Sequence, residues 1–191
     1  MLDAARRLFM RQGYPGTRIE DIAREGGVAV QTVYFTFGNK RTVLKELVDC
    51  PVAGDQGPAS ALLQELARRA LLEPEPARQL RLQVRAARRV YETVGPLLEV
   101  LRNAASVDSE VAGLWAANKR QRLEVQLRFT EALAAKGGLR EGLTVAAAAD
   151  VAYALLSPEL VEVFGDRGWS LKRWERWAVD ALSTELLAPS S

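Results

Sequence analysis

Residues 13 to 44 read GYPGTRIEDIAREGGVAVQTVYFTFGNKRTVL, and the spacing in this stretch decides the fold. Thr17 stands where a helix N-cap belongs, and Glu20 follows three places on, the pattern of a capping box. Ile19, Ile22 and Ala23 then form one apolar stripe at helical spacing. Gly26 and Gly27 break it. A second short helix is expected over residues 29 to 35, with Val28 and Val33 facing inward and Gln31, Thr32, Tyr34 and Phe35 facing out. Two short helices joined by a tight glycine corner make a helix-turn-helix, which sets its second helix into the major groove of DNA.

Working outward, Leu2, Ala5, Leu8 and Phe9 repeat at helical spacing and Gly13 is expected to stop that first helix. On the other side Asn39 is placed to cap a fourth helix that carries Val43, Leu44, Leu47 and Val48. Residues 51 to 58, PVAGDQGP, have the composition of a linker. We therefore expect residues 1–50 to be a helix-turn-helix DNA-binding domain and 51–191 a larger helical domain. The later segment predicts a helix through Leu62, Leu63, Leu66 and Ala70, and another through Leu80, Val84, Ala87 and Tyr91. Gly95-Pro96 is expected to break that run before a short helix with Leu97, Leu98 and Leu101. A long helix should open at Asp108 and reach Lys136, where Gly137-Gly138 closes it. An alanine-rich helix follows over 144 to 156. Ser157-Pro158-Glu159 starts a short one, and Ser170 caps the last, which holds Trp174, Trp177, Ala178, Ala181 and Leu182.

The composition agrees with an all-α protein. Of 191 residues 48% are hydrophobic and 26% charged, ordinary values for a folded domain, and the commonest residues are strong helix formers. Net charge is only +2. All of it falls before residue 51, where eight basic residues face six acidic ones. That excess is weak support for a nucleic-acid partner; the placement of a few cations matters more. With one cysteine, Cys50, and no histidine, a disulfide within the chain, most metal sites and every histidine-based triad are excluded. No metal, no cofactor and no catalytic residue are expected. Asp150 and Glu159 read as isolated surface or cap carboxylates. No apolar run is long enough to span a membrane and no signal peptide is evident, so the cytoplasm is the expected compartment.

The sequence resembles the tetracycline-repressor (TetR) family of bacterial transcription regulators. The resemblance rests on AARRLF at 4 to 9, G-Y-x-x-T at 13 to 17, D-I-A at 21 to 23, G-V-x-x-x-T-V-Y at 27 to 34 and F-x-x-K-x-x-x-L at 37 to 44. A softer likeness to ligand domains of the same family covers SPELVEVFGDRGWSLKRWERW, residues 157 to 177. The resemblance implies that residues 29 to 35 form the recognition helix. Val30, Gln31, Thr32 and Phe35 would then reach base edges or the sugar-phosphate wall, while Tyr34 and Lys40 would grip phosphate. Thr17, with Arg18 beside it, would touch a phosphate through its hydroxyl or the neighbouring N–H groups. Read without the family, Thr17 is a cap, Tyr34 a packing aromatic, Gln31 a solvated polar residue, Lys40 a surface charge, and Phe37 core. Their chemistry suits the family roles. Glutamine pairs with adenine N6 and N7, valine and threonine pack on a thymine methyl, and Lys40 would make affinity salt-dependent. Relatives usually carry more basic residues before the first helix. Met1 sits almost inside it here, so the chain is expected either to lack that arm or to be truncated ahead of it.

On the long helix, Val111, Leu114, Trp115, Val125, Phe129 and Leu133 fall on one side, and Asn118 and Arg122 share that side. Polar groups aimed into an apolar layer need partners. Either neighbouring helices supply them, or the two residues line a cavity and read a polar group on a ligand. Tyr91, Trp115, Phe129 and Tyr153 are the further ligand candidates, Tyr91 and Tyr153 being equally readable as plain core, and an anionic or carbonyl-bearing small-molecule effector would suit Arg122 and Asn118. A helix-turn-helix that reads a palindrome must be paired. Ala148, Val151 and Leu155, with Trp174, Trp177, Ala181 and Leu182, are the candidate faces of a homodimer built, as in this family, from four helices; packing of Trp174 or Trp177 inside the monomer is the other reading. The expected function is therefore a ligand-released repressor on double-stranded DNA. An activator of the same fold, and a small-molecule-binding protein or enzyme with a vestigial helix-turn-helix, are the alternatives.

Overall fold

The computed structural model describes residues 1–49 and 58–188, with side chains from 62 onward in the second stretch. The expected linker through Gly57, and the domain boundary after Cys50, lie outside the described residues. Among the described residues ten helices form, in the order α1 (Leu2–Gly16), α2 (Ile19–Gly26), α3 (Val30–Phe37), α4 (Lys40–Asp49), α5 (Pro58–Leu72), α6 (Pro76–Ala105), α7 (Ser109–Ala135), α8 (Val145–Leu155), α9 (Pro158–Asp166) and α10 (Leu171–Leu186). Among the described residues no strand forms; one antiparallel bridge joins Leu139 to Leu187. No described helix is long and apolar enough to cross a membrane.

The chain divides into two compact units. One contains Met1–Ser60 and Val94–Asn118; the other contains Ala61–Thr93 and Lys119–Ser191. In the first, α1 packs on α2 and α4, and α3 packs on α2 and α4. Ala5, Leu8, Phe9, Ile22, Val33, Val43 and Leu44 fill the core of these four helices. Val33 is the one buried residue of α3, so this short helix is anchored on one side. In the second unit α10 packs on α8 and α9. Trp174, Ala178, Leu182 and Leu186 repeat every four residues along α10 and are all buried. Burial of each large side chain in that row contributes about 1.5–3 kcal/mol.

Local chemistry explains most of the helix ends. Asp108 Oδ1 accepts from the N–H groups of Glu110 and Val111 at 3.0 and 3.2 Å, opening α7. Thr144, Ser157 and Ser170 each accept from the N–H three residues on, at 3.2 Å. Asn39 accepts from Thr42 N–H at 2.9 Å and starts α4. Each satisfies a donor that the first helical turn leaves open.

Three expectations are corrected. Gly95-Pro96 does not break the chain, because α6 runs unbroken from Pro76 to Ala105 with Pro96 inside it. Val94, Leu97, Leu98 and Leu101 are buried on one face there, and that packing outweighs the missing proline donor. Gly13 does leave helical geometry, at φ 70° and ψ 175°, but a further turn containing Pro15 follows, so α1 is kinked and ends at Gly16. Leu62 and Val125, read as parts of buried stripes, are exposed.

Candidate nucleic-acid interface and ligand region

Thr17 is not the N-cap of α2. That position belongs to Arg18, whose N–H donates to Asp21 Oδ2 at 3.4 Å. The kink at Gly13 frees the Gly13 carbonyl, and the Thr17 hydroxyl donates to it at 2.8 Å. Thr17 is completely buried. A hydroxyl so placed braces the α1–α2 junction from within and is not the cap of α2. Arg18, by contrast, is exposed. Gly27 then closes α2 at φ 65°, and its N–H bonds back to Arg24 O; this left-handed conformation costs a non-glycine residue roughly 1–2 kcal/mol. That corner aims α3.

The helix α3 runs from Val30 to Phe37, two residues further than expected. Gln31, Thr32, Tyr34, Phe35 and Thr36 are exposed along it, and Val30 and Phe37 are half-buried. Tyr34 is 47% exposed and Phe35 94%. The Thr36 hydroxyl donates to Thr32 O at 2.8 Å. No charged residue lies between Glu25 and Lys40.

Lys40 departs from expectation. Its ammonium donates to Tyr14 O at 2.7 Å and Thr17 O at 2.9 Å and sits 4.1 Å from the centre of the Tyr14 ring. Two of its three donors are therefore taken by main-chain carbonyls at the end of α1. Burial lowers its pKa, and the nearby Asp108 carboxylate works in the opposite direction. Tyr14, first through burial and then through Asp108, is pushed up to about 12. Arg41 pairs with Glu110 in the same unit. Sequence reasoning singled out Tyr14, Lys40 and Asp108 separately but missed that they meet, because they lie far apart in the chain. The remaining charges of α1 and α2 are largely paired. Glu25 accepts from Arg7 at 2.7 Å and Arg11 at 3.2 Å, and Arg24 pairs with Asp21 at 3.2 Å.

The expected ligand residues fall in both units. Trp115 and Asn118 belong to the first and are half-buried. Tyr91, Arg122, Phe129 and Tyr153 belong to the second. There, Arg122 stands 3.9 Å from Glu159 and 5.1 Å from the centre of the Tyr153 ring. Glu159 is therefore not the isolated carboxylate it seemed. Tyr91 is buried, its hydroxyl donates to Leu156 O, and its ring meets Trp174 edge-on at 5.5 Å. Burial, the largest influence, pushes its phenol up, with Glu159 and Tyr153 adding to that and Arg122 opposing it. Phe129 is buried, and its carbonyl accepts from the buried Gln79 at 2.8 Å. Gln83 and Gln126 bond at 2.7 Å. Arg88, buried on α6, pairs with Glu92 and with Glu175 of α10 at 2.6 Å. The glutamines and this ion pair also escaped the sequence reading.

The candidate dimer residues divide by helix phase. Ala148, Trp174 and Leu182 are buried within the single chain, so their expected place on an outer face is corrected; Trp174 is core beside Tyr91. Val151, Leu155, Trp177 and Ala181 remain half-buried. Trp177 lies 4.6 Å from Phe164 and 6.4 Å from Trp169, centre to centre.

Comparison with known proteins accords with this geometry. Residues 1–47 match the family described as bacterial regulatory proteins, tetR family. No curated protein matches significantly. Several solved structures share the fold. A SmeT–triclosan complex is 23% identical, with 97% of this chain and 89% of that one covered and a TM-score of 0.76. NalD, the secondary repressor of the MexAB-OprM multidrug efflux pump in Pseudomonas aeruginosa, is 21% identical, with 97% and 93% covered and a TM-score of 0.71. The transcriptional regulator FadR from Bacillus subtilis in complex with stearoyl-CoA is 17% identical, with 96% of each chain covered and a TM-score of 0.73. The N-terminal helix-turn-helix is of the TetR type, and the chain has the all-helical fold of TetR-family regulators.

Proposed function

We propose that this chain, with its TetR-type N-terminal domain as the premise, is a cytoplasmic ligand-responsive transcriptional repressor. It binds a palindromic operator as a homodimer and leaves it when a small molecule occupies the helical C-terminal region. One observation carries the reading. Within the stretch that matches the family, α3 is held by the buried Val33 and turns Gln31, Thr32, Tyr34 and Phe35 to solvent. Those groups suit base edges and the sugar-phosphate wall. Arg18 takes the phosphate-neutralising role, and Lys40 supports it with its remaining donor.

Pairing of two chains would use the half-buried rows Val151–Leu155 on α8 and Trp177–Ala181 on α10. It would set the reading helices about one turn of DNA apart, or a multiple of that. Similar folds are recorded with triclosan and with stearoyl-CoA, which favours a small-molecule effector for this chain as well. An effector releases DNA only if it binds the non-DNA conformation better. A carboxylate or carbonyl group on the effector would compete with Glu159 for Arg122. Arg122→Ala is then expected to weaken effector-driven release while leaving DNA affinity intact; unchanged release from a folded variant removes Arg122 from the site.

The deciding experiment is a mobility-shift titration on the DNA upstream of the protein's own gene, with sedimentation to count chains per duplex. Two chains on a palindrome, with affinity falling steeply as salt rises, is the expected result. Absence of binding at low salt, together with turnover of a small molecule, would point to an enzyme on the same scaffold.

A further inference from the structure

The reading helix has an unusual chemical property for a surface that meets a polyanion: α3 carries no formal charge, and neither do the residues flanking it from Gly26 to Asn39. We infer that this chain reads its half-site through thymine methyl groups and adenine edges, with Phe35 as the specificity-determining residue and no guanine contact from α3. The inference rests on the DNA-binding reading above and names what that surface recognises.

In the major groove, guanine presents two acceptors, N7 and O6, and is read by the paired donors of arginine or by lysine. Adenine presents an acceptor and a donor together, and thymine presents a methyl group. None of the outward side chains of α3 is an arginine or lysine, the side chains that read guanine most often. Gln31 is exposed and is the sole planar amide on the helix, with the donor and acceptor that adenine N7 and N6 require. Phe35 is 94% exposed and has no polar atom, so a methyl group is the one feature of a base edge that it can favour. Thr32 is exposed beside them, and the hydroxyl proton of Thr36 is already given to Thr32 O. The nearest lysine lies outside α3 and has one donor left, too few to bridge guanine N7 and O6. Lys40 begins α4 and spends two donors on Tyr14 O and Thr17 O.

Burial explains why so exposed a phenylalanine fits here. Val33 supplies the inward anchor of α3, and Phe35 adds nothing to that core. Its apolar area is covered only when something flat and apolar arrives. A row of thymine methyls in the groove is such a surface, and its complementarity depends on sequence. The sugar-phosphate wall is the competing location, and contact there is indifferent to the methyl.

The test uses the full-length chain in two parallel selections from random duplex libraries at one salt concentration. One library contains thymine and the other deoxyuridine, which pairs identically but lacks the methyl. The thymine library is expected to yield a half-site rich in A·T pairs under α3. Replacing a contacted thymine by deoxyuridine in the selected duplex should weaken binding about fourfold per methyl, the factor expected for burying one such group. Phe35→Ala should bind the thymine duplex more weakly and lose the distinction between thymine and uracil at one position of each half-site. Equal enrichment and equal affinity with both libraries would place Phe35 on the wall and overturn the inference, leaving the DNA-binding reading standing. A required guanine under α3, whose 7-deaza analogue weakens binding, overturns it as well. Failure of both libraries to enrich any duplex rejects the DNA-binding reading itself. The deoxyuridine comparison is made on the unaltered protein, so it holds whatever Phe35→Ala does to folding.

Discussion

Phe35 and Trp174 are both large helical aromatics, and the family resemblance makes both candidates for contacts with partners, with the monomer core as the other reading of Trp174. They end in opposite environments. Phe35 is 94% exposed on α3, and Trp174 is 1% exposed on α10. The neighbouring helix faces account for the difference. On α3 the inward position is taken by Val33, two residues before Phe35, so the phenylalanine points away. On α10, Trp174 leads the four-residue row that continues with Ala178, Leu182 and Leu186, and its ring is held edge-on against Tyr91. One aromatic stays open to solvent, and the other supports the fold.

The sharpest way to break that contrast is to truncate both. Trp174→Ala should cost about 3–5 kcal/mol of folding stability, because it removes a fully enclosed ring and leaves a cavity. Phe35→Ala should change stability by less than about 0.5 kcal/mol, as for most exposed positions. Thermal or denaturant unfolding of the two variants measures this directly. Comparable losses would mean that Phe35 is packed against protein and is not free to meet DNA.

The same two sites show what the sequence makes legible. Caps are short-range devices, and Asn39, Asp108, Thr144, Ser157 and Ser170 all act within three residues of themselves. Asn39, Asp108, Ser157 and Ser170 can be read as helix starts in order, whereas Thr144 reads only as the first residue of its helix. Thr17 carries the same kind of hydroxyl but stands one residue before the N-cap, and it donates its proton to the Gly13 carbonyl at the kink. The pattern of α3 was legible for the same local reason, down to the side chains it exposes. Gly95-Pro96 misled because the buried face of Val94, Leu97, Leu98 and Leu101 is a tertiary fact, and tertiary packing overrides propensity. Trp174 and Trp177 are three residues apart, a helical step that leaves one buried and one half-buried; which is which depends on the partner helices. Arg122 could be read as a polar group on an apolar stripe, but Glu159 opposite it lies on another helix, beyond the reach of periodicity.

Lys40 allows a finer comparison, between holding the head together and holding DNA. Its ammonium closes on two carbonyls of the α1–α2 junction, and charge-assisted hydrogen bonds of this kind are worth about 1.5–3 kcal/mol in favourable settings. Partial exposure reduces this, so Lys40→Met is expected to cost about 1–2 kcal/mol of stability. If bracing is its main work, the variant's DNA affinity falls with little change in the slope of log affinity against log salt. If its free donor neutralises a phosphate, the slope falls by close to one counterion. Arg18→Met supplies the control: an exposed cation should leave stability nearly untouched and reduce the slope. A Lys40 variant with native stability and a reduced slope would reverse these assignments.

The smallest expected effect lies at Glu25, which fastens the end of α2 to Arg7 and Arg11 of α1. The Arg7 hydrogen bond is the main cause that lowers its pKa; desolvation opposes it, and Arg11 adds to the lowering. A carboxyl that titrates lower in the folded chain than in the unfolded one holds fewer protons when folded. Its contribution is therefore complete above the ordinary carboxylate pKa and disappears as pH falls through the depressed folded value. Because the pair is open to solvent, salt should weaken it in parallel. Glu25→Gln should thus be slightly less stable than the parent near neutral pH, with the gap closing in acid and at high salt. Paired unfolding curves at neutral pH and below the carboxylate range, each at low and high salt, test this. A gap that persists unchanged in acid would show that Glu25 acts through packing of its side chain and not through its charge.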